Sequence, residues 1–174
     1  RATIEEQIVT VLVKRAPMAI DLRLTISTLK ISSDLERIGD EAAKVARQAV
    51  QLSEGGMSPS SFVEIRHIGA LVGVLLRQSL DAFARLDVTK AIEVVRGDAE
   101  VDKEYGSAMR SLVTFMVEDP RNIGAILNEM WALRSLERIG DHACNIAEHV
   151  VYLVKGLDVR HGRLSELGEE ALDI

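Results

Sequence analysis

The chain has 174 residues, and its 21 Lys and Arg residues against 27 Asp and Glu residues give a net charge of −6. This length is typical of one domain or two small ones and is sufficient to bury a core without disulfide staples. The acidic balance argues against a nucleic-acid-binding protein, which usually presents a basic surface. It is typical of an acidic cytosolic protein or of one that collects cations, so we expect a cytoplasmic location.

Cys144 is the single cysteine, which excludes an intramolecular disulfide. The first residues, "RATIEEQIVT", lack the apolar run of a signal segment, and a start at Arg1 rather than Met is what we expect of a fragment or a trimmed product. The longest uncharged apolar run, 68–76, is far short of the ~20 residues that span a bilayer. Gly69 and Gly73 within it therefore predict close helix packing, and any membrane contact is expected through a partner.

Taken in chain order, apolar residues recur at three- and four-residue spacing almost throughout, and aromatic residues make up only 3% of the sequence. This pattern predicts an all-α protein with five helices, over 2–15, 17–53, 60–86, 88–118 and 120–155. Breaks fall at Pro17, at the glycine-rich stretch 53–61, near Asp87 and at Asp119-Pro120. Pro17 and Pro120 are expected in the first turn of a helix, with Asp119 as a cap.

An internal repeat aligns 35–52 with 136–153 at an offset of 101, with ten of the 18 positions identical. The repeat contains the hexapeptide "LERIGD" twice. A period this long indicates two copies of a helical bundle. In each copy the apolar residues are spaced 3, 4, 3, 4, 3, which predicts the a and d positions of a packed helix seam. These residues are Leu35, Ile38, Ala42, Val45, Ala49 and Leu52, and Leu136, Ile139, Ala143, Ile146, Val150 and Leu153.

Two acids in each hexapeptide fall at positions b and f, on the face expected to point outward: Glu36 with Asp40, and Glu137 with Asp141. Residues four apart on a helix are neighbours, so each pair places two like charges side by side. Gly39 and Gly140 add about 1 kcal/mol of destabilisation each relative to Ala. Neutralisation by Arg37 and Arg138 on an ordinary solvated face explains the pattern as well as a binding site does.

If the pattern is a site, carboxylate oxygens favour hard or borderline cations such as Mg²⁺, Mn²⁺ and iron. Two acids from one helix supply only half of a coordination shell. The candidate for the other half is "GDAEVDKEY" on the preceding helix, where Asp98 and Asp102 have the same spacing. Their facing is less well defined by the apolar pattern, and ordinary surface charge remains the alternative.

Other candidate sites are weaker. "EIRH" (64–67) resembles one di-iron Glu-x-x-His motif, but a di-iron bundle needs two, so His67 is interpreted as incidental. His142 and His149 lie seven residues apart, too distant for joint ligation, and are interpreted as structural or peripheral. Cys144 aligns with Ala43 and is interpreted as a small packing residue. With no phosphate-binding loop, dinucleotide turn or nucleophile elbow, the chain is not expected to be an enzyme.

The sequence resembles the PhoU proteins of bacterial phosphate signalling over nearly its whole length. The resemblance rests on "RAPMAIDLRLTISTLKISSDLERIGDEAAKVAR", "LDAFARLDVTKA", "DAEVDKEYGSAMRSLVTFMVEDPRNI" and "SLERIGDHACNIAEHVVYLVKG". It implies a cytoplasmic, often dimeric, negative regulator that relays the state of the phosphate ABC transporter, through its ATPase subunit, to the sensor histidine kinase. It also implies iron, zinc, manganese or magnesium, as single ions or multinuclear clusters, at Glu36, Asp40, Asp98, Asp102, Glu137 and Asp141.

The resemblance further implies two antiparallel three-helix bundles: 1–53 and 62–157, joined by a linker at 54–61 and followed by a tail at 158–174. The first bundle departs from the family pattern. The repeat places the equivalents of Asp98 and Asp102 at or before Arg1, so this chain has half of the first acidic site and lacks an N-terminal helix. We therefore expect weaker metal binding at Glu36 and Asp40 than at the second site.

Two alternatives from other functional classes stand beside the adaptor. A metal-dependent phosphatase or hydrolase would use the same carboxylates, but it needs a concave pocket and a general base that outward-facing acids do not favour. A purely structural helical scaffold would leave the acids solvated and functionally silent.

Overall fold

A computed structural model describes residues 2–54 and 62–159, and it is helical as the sequence predicts. The helices are α1 (Ala2–Arg15), α2 (Ala19–Glu54), α3 (Val63–Arg85), α4 (Val88–Glu118) and α5 (Ile123–Lys155). A short 3₁₀ turn, Pro120–Asn122, precedes α5. The five expected helices are thus confirmed, with ends displaced by up to three residues.

The displaced ends have local causes. Pro17 lies before α2 rather than in its first turn, because Ala16 and Ala19 take positive φ angles of 42° and 50° and turn the chain there. Pro120 does lie in a first turn, but of the 3₁₀ segment, which Asp119 caps by accepting a hydrogen bond from the backbone N of Arg121. The linker prediction falls mostly on 55–61 and the tail prediction mostly on 160–174, which lie outside the described residues.

Other helix ends are capped by local side-chain hydrogen bonds or by residues in the left-handed conformation. At the start of α4 the side chain of Asp87 accepts a hydrogen bond from the backbone N of Lys90 at 2.9 Å. Just before it Leu86 adopts the left-handed conformation that ends α3. At the end of α5 Gly156 adopts a φ of +73°, and its α-carbon lies against the side chain of Arg23 from α2. The sharp reversal between α3 and α4 makes them an antiparallel hairpin.

The centre of the molecule is α5, which packs against α2, α3 and α4, while α1 packs against α2. Since the apolar positions of α5 face three neighbouring helices, this helix is buried along most of its length. Its a and d residues, Leu136 to Leu153, are all buried. None of the helices in the described part of the chain combines the length and the apolarity that a bilayer-spanning segment needs.

The same seam in α2 is only half covered. Ile38 and Leu52 are buried, but Leu35 is 41% exposed, and Ala42 and Ala49 are exposed as well. The prediction of a packed seam is therefore confirmed for α5 and wrong for half of α2. The cause is that no described helix covers this side of α2 as α3 and α4 cover α5.

The Gly69/Gly73 pair supports close packing at one position. A Cβ atom at Gly69 would lie 3.8 Å from the side chain of Leu136 on α5. Gly73 faces the side chain of Arg77 from its own helix instead, so its contribution to helix packing is not seen.

Candidate metal centre

The structure brings the four acids of the second repeat together between α4 and α5. Asp98 and Asp102 of α4 lie close enough to Glu137 and Asp141 of α5 for their negative charges to interact. The facing of Asp98 and Asp102, which the apolar pattern left open, is thus toward the repeated hexapeptide. We refer to these four residues as the second acidic cluster.

Gly140 makes this approach possible. A Cβ atom at Gly140 would lie 3.2 Å from Oδ1 of Asp98 and 3.6 Å from the side chain of Val101. The first distance is tighter than ordinary van der Waals contact, so any larger residue would displace the carboxylate. The glycine that lowers helix propensity therefore creates the space for an acid of the neighbouring helix.

Charge accumulates in the second acidic cluster. Burial raises the pKa of Asp98 to about 6, with further contributions from the negative charges of Asp102 and Asp141. Burial, followed by the charge of Asp141, also raises the pKa of Glu137. The pKa of Asp141 is raised by burial and then by the charge of Asp102. Each ionised carboxylate thus destabilises its neighbours, which is the environment that a bound cation relieves.

Glu137 is less exposed than its position on the helix predicted. Its side chain is only 12% exposed, with Oε1 accepting a hydrogen bond from Nη1 of Arg134 at 2.6 Å. Oε2 is buried and has no hydrogen-bond partner within the described residues. The prediction of an outward face holds for Asp141, whose residue surface is exposed although its carboxylate is partly desolvated beside α4. It is wrong for Glu137, because α4 covers that side of α5.

The donor set of the second acidic cluster fits a hard or borderline cation. It consists of carboxylates alone, carries excess negative charge and holds a buried oxygen without a partner. In residues 2–54 and 62–159, no three His, Cys, Asp or Glu side chains are already arranged so as to hold a metal ion. Binding would thus require the carboxylates to change rotamer.

The first repeat offers a different arrangement. Glu36 and Asp40 are exposed on α2, and a Cβ atom at Gly39 would meet nothing within 4 Å. They line a polar pocket whose other members are Arg37, Glu41, Lys44 and Arg138. With three basic side chains among the six, this pocket lacks the excess negative charge of the second acidic cluster. The side chain that α5 contributes to this pocket, Arg138, is basic rather than acidic.

The other residues that were considered as site candidates from the sequence lie on the surface or in the interior, outside the four carboxylates of the second acidic cluster. His67 Nε2 lies 3.7 Å from a carboxylate oxygen of Glu104 at the exposed edge of the α3–α4 hairpin. Cys144 is buried in α5, where burial, followed by the negative charge of Asp98 that its thiol contacts, raises the pKa of the thiol. His142 and His149 are both buried and structural.

A layer of buried polar side chains lies between α2 and α5 and was not predicted from the sequence. Asp34, which no motif singled out, is 8% exposed and faces both histidines. Burial raises its pKa, but contacts from His149, His142 and Asn145 outweigh that effect and leave the pKa below its usual value. A signal was present: Asp34 and Glu41 both fall at heptad position g, one residue before the seam, as do Ser135 and His142.

In the described residues, five helices bring a cluster of carboxylates together between α4 and α5, which defines an all-helical protein with an acidic site. The family model of the PhoU domain matches residues 1–49 and 65–150. The chain is 58% identical over 167 residues, 96% of its length, to a phosphate-specific transport system accessory protein PhoU homolog of Pseudomonas aeruginosa. The chain belongs to the PhoU family, a family of accessory regulatory proteins rather than enzymes.

Solved structures agree with this assignment. The crystal structure of PhoU from Pseudomonas aeruginosa superposes with a TM-score of 0.87 at 58% identity, covering 90% of this chain and 75% of that one. The phosphate transport system regulatory protein PhoU from Streptococcus pneumoniae gives a TM-score of 0.76 at 28% identity, covering 92% and 78%. The chain spans 69% and 65% of the length of two curated Pseudomonas relatives.

Proposed function

We propose that this chain acts in a metal-binding regulatory adaptor of phosphate uptake and signalling. The adaptor represses the phosphate-starvation response by linking the ATPase subunit of the phosphate ABC transporter to its sensor histidine kinase. The curated relatives' names support the transport role. The observation that supports metal binding is the second acidic cluster, where Gly140 admits Asp98 beside two further carboxylates. Since both proposed partners act at the inner side of the membrane, the adaptor is placed in the cytoplasm.

In this proposal Asp98, Asp102, Glu137 and Asp141 hold iron, zinc, manganese or magnesium, as one ion or as a cluster. A bound cation supplies positive charge that neutralises the carboxylates and orders the surface between α4 and α5. Arg134, which already pairs with Glu137, keeps one carboxylate oriented before the metal arrives. Glu36 and Asp40 form the weaker site, because three of the six side chains that line their pocket are basic.

The proposal also assigns the five helices to two bundles. We infer that α3, α4 and α5 constitute the second three-helix bundle, and that α1 and α2 are two helices of the first. The mutual packing of α3, α4 and α5 supports this division. A homodimer is part of the proposal by analogy with the family and is tested by analytical ultracentrifugation.

Elemental analysis of protein purified without chelator tests the metal proposal. We expect iron, manganese or zinc in the wild type and a loss of at least tenfold in Glu137→Ala/Asp141→Ala. The matched control is Glu36→Ala/Asp40→Ala, the same change at the equivalent positions, which should retain most of the metal. Equal loss in both variants would contradict the assignment of the stronger site, and no metal after reconstitution would contradict metal binding altogether.

Co-purification with the transporter ATPase and with the kinase tests the adaptor role separately. We expect binding to both partners, and weaker binding after chelation or in the Glu137→Ala/Asp141→Ala variant. Partner binding that does not change with metal would show that the adaptor role does not depend on the acidic cluster. Failure to bind either partner with metal present would contradict the adaptor itself.

A further inference from the structure

Two groups of polar contacts join α2 to α5. In the first, Nδ1 of His142 donates a hydrogen bond to Oδ1 of Asp34 at 2.9 Å, and Nδ2 of Asn145 donates to the same oxygen at 3.3 Å. Nε2 of His149 lies 3.6 Å from Oδ2. Asp34, His142 and His149 are each 8% exposed. We refer to this group as the first polar crossing.

The second polar crossing centres on Glu41, which is 4% exposed. Its Oε1 accepts from Nζ of Lys44 at 2.8 Å and lies 3.1 Å from Nη1 of Arg138 on α5. The hydroxyl of Ser135, also on α5, hydrogen-bonds to the same carboxylate. Each crossing thus buries one carboxylate of α2 and meets it with donors from α5.

The two crossings are related by the internal repeat. At the offset of 101, Asp34 is equivalent to Ser135, and Glu41 is equivalent to His142. The contact of Asp34 with His142 and the contact of Ser135 with Glu41 are therefore the same contact with the two helices exchanged. The two helices run antiparallel here, so a pseudo-twofold axis passes between the crossings, near the equivalent residues Ile38 and Ile139.

Burying carboxylates in this way is a poor means of gaining stability, since well-packed apolar residues serve as well or better. Buried polar groups do, however, specify one register, because a slipped arrangement leaves them without partners. His142 and His149 lie seven residues apart, on either side of Asp34 along α5, so a slip of α2 by one turn would move Asp34 away from at least one of them. The apolar seam alone, which repeats every three or four residues, would tolerate such a slip.

We propose that the two polar crossings are a register lock that fixes how α2 sits along α5, with Asp34 and Glu41 as its positioning residues. The lock sets the distance between the two acidic motifs, because Asp34 lies two residues before Glu36 and His142 directly follows Asp141. It does so whether or not metal is bound, so the inference is independent of the proposed function.

Spin labels test the lock directly. Cysteines are introduced at Ile20, at the start of α2, and at Val117, at the end of α4, which are 55% and 77% exposed. Pulsed electron paramagnetic resonance then gives the distribution of distances between the labels. Native Cys144 is buried, and protein without the new cysteines should take up no label.

Asp34→Leu/His142→Leu combined with Glu41→Leu/Ser135→Ala is the decisive variant, because apolar replacement of the buried partners in both crossings removes the lock while preserving a folded interface. We expect its urea midpoint to lie closer to the wild type than that of Asp34→Leu alone. The distance distribution should nevertheless broaden or gain a second population about 5 Å away, which is the rise of one helical turn. A narrow distribution that superimposes on the wild type would overturn the proposal.

Two further variants separate the lock from general destabilisation. Ser27→Ala, a buried residue of α2 whose hydroxyl has no hydrogen-bond partner in the described residues, should leave the distribution unchanged. Asp34→Asn retains an oxygen that accepts from His142 and should keep the wild-type distance. Broadening in Ser27→Ala equal to that in the variant with both crossings replaced would also overturn the proposal, because any defect in α2 would then produce it.

Discussion

The two glycines of the repeated hexapeptide have different neighbours, although their local sequences are identical. Gly140 lies under the carboxylate of Asp98, while a Cβ atom at Gly39 would meet nothing within 4 Å. The same residue therefore has a packing reason in α5 and none in the described part of α2. Its presence at both positions is explained if a third helix packs on α2 in the proposed first bundle as α4 packs on α5.

Replacing each glycine by alanine tests this difference. Gly39→Ala should stabilise the protein by about 0.5–1 kcal/mol, since Ala is the better helix former and the site is open. Gly140→Ala should lack this gain, because the new methyl group displaces Asp98, and it should also lower metal content. Urea unfolding of both variants gives the free energies. Equal stabilisation by the two substitutions would contradict the packing role of Gly140.

Glu129 is the buried acid with the clearest effect on stability. It is 3% exposed on α5, and burial, together with the negative charge of Glu64, raises its pKa to about 7. In the unfolded chain the same group titrates near 4.5. Between these values the folded protein holds a proton that the unfolded chain has lost, so the contribution of Glu129 to the free energy of unfolding falls as pH rises.

Glu129→Gln should remove this pH dependence. At pH 4.5 the variant and the wild type should be similarly stable, and at pH 8 the variant should be more stable by on the order of 2–3 kcal/mol, at 1.36 kcal/mol per pKa unit. Chemical unfolding at the two pH values measures the difference. Glu118→Gln, at an exposed position in α4, is the control and should show no such change. A stability difference that is the same at both pH values would contradict the raised pKa.

At the scale of helices, α2 and α5 have the same seam but bury different fractions of it. Leu136 is 8% exposed and packs near Gly69, whereas the equivalent Leu35 is 41% exposed. Leu136→Ala should therefore cost about 2–4 kcal/mol and Leu35→Ala less than about 1 kcal/mol. Thermal or urea unfolding distinguishes the two. Similar losses would show that the side of α2 bearing Leu35 is covered in solution.

The helices themselves could be predicted from the sequence because a sustained 3.6-residue apolar period needs no knowledge of neighbours. Helix starts are predicted less accurately, since nothing in the residue type of Ala16 and Ala19, which are both exposed, indicates their positive φ angles. The repeated hexapeptide predicted that the acids of α5 form part of a site. The structure shows in addition that Asp98 of α4 lies beside them. Which acids become buried was not predictable, because the exposure of Glu137 depends on how α4 lies across α5.

The buried polar layer illustrates a second limit of the sequence. Asp34 and His142 are 108 positions apart, and no local rule pairs an aspartate with a histidine at that separation. Only the equivalence of the two repeats, applied to heptad position g, relates their contact to that of Glu41 with Ser135. Once the contact between Asp34 and His142 is known, the internal repeat predicts the equivalent contact between Ser135 and Glu41. The repeat alone does not predict either contact.

For the whole molecule, metal binding should appear as added stability. A ligand that binds only the folded state at 100 times its dissociation constant stabilises by about 2.7 kcal/mol. Saturating Mn²⁺ should therefore raise the thermal midpoint of the wild type and of Glu36→Ala/Asp40→Ala. It should leave the midpoint of Glu137→Ala/Asp141→Ala within about one degree. A rise of the same size in all three proteins would place the ion elsewhere.

The central position of α5 has a consequence for synthesis of the chain. It is the last of the five described helices to leave the ribosome, yet it packs against α2, α3 and α4. Until it emerges, the α1–α2 and α3–α4 pairs lack the helix that covers their apolar faces, and the nascent chain exposes surface of the kind that chaperones bind. Folding is then completed in one late step, so a premature stop within α5 removes the whole structure rather than one helix.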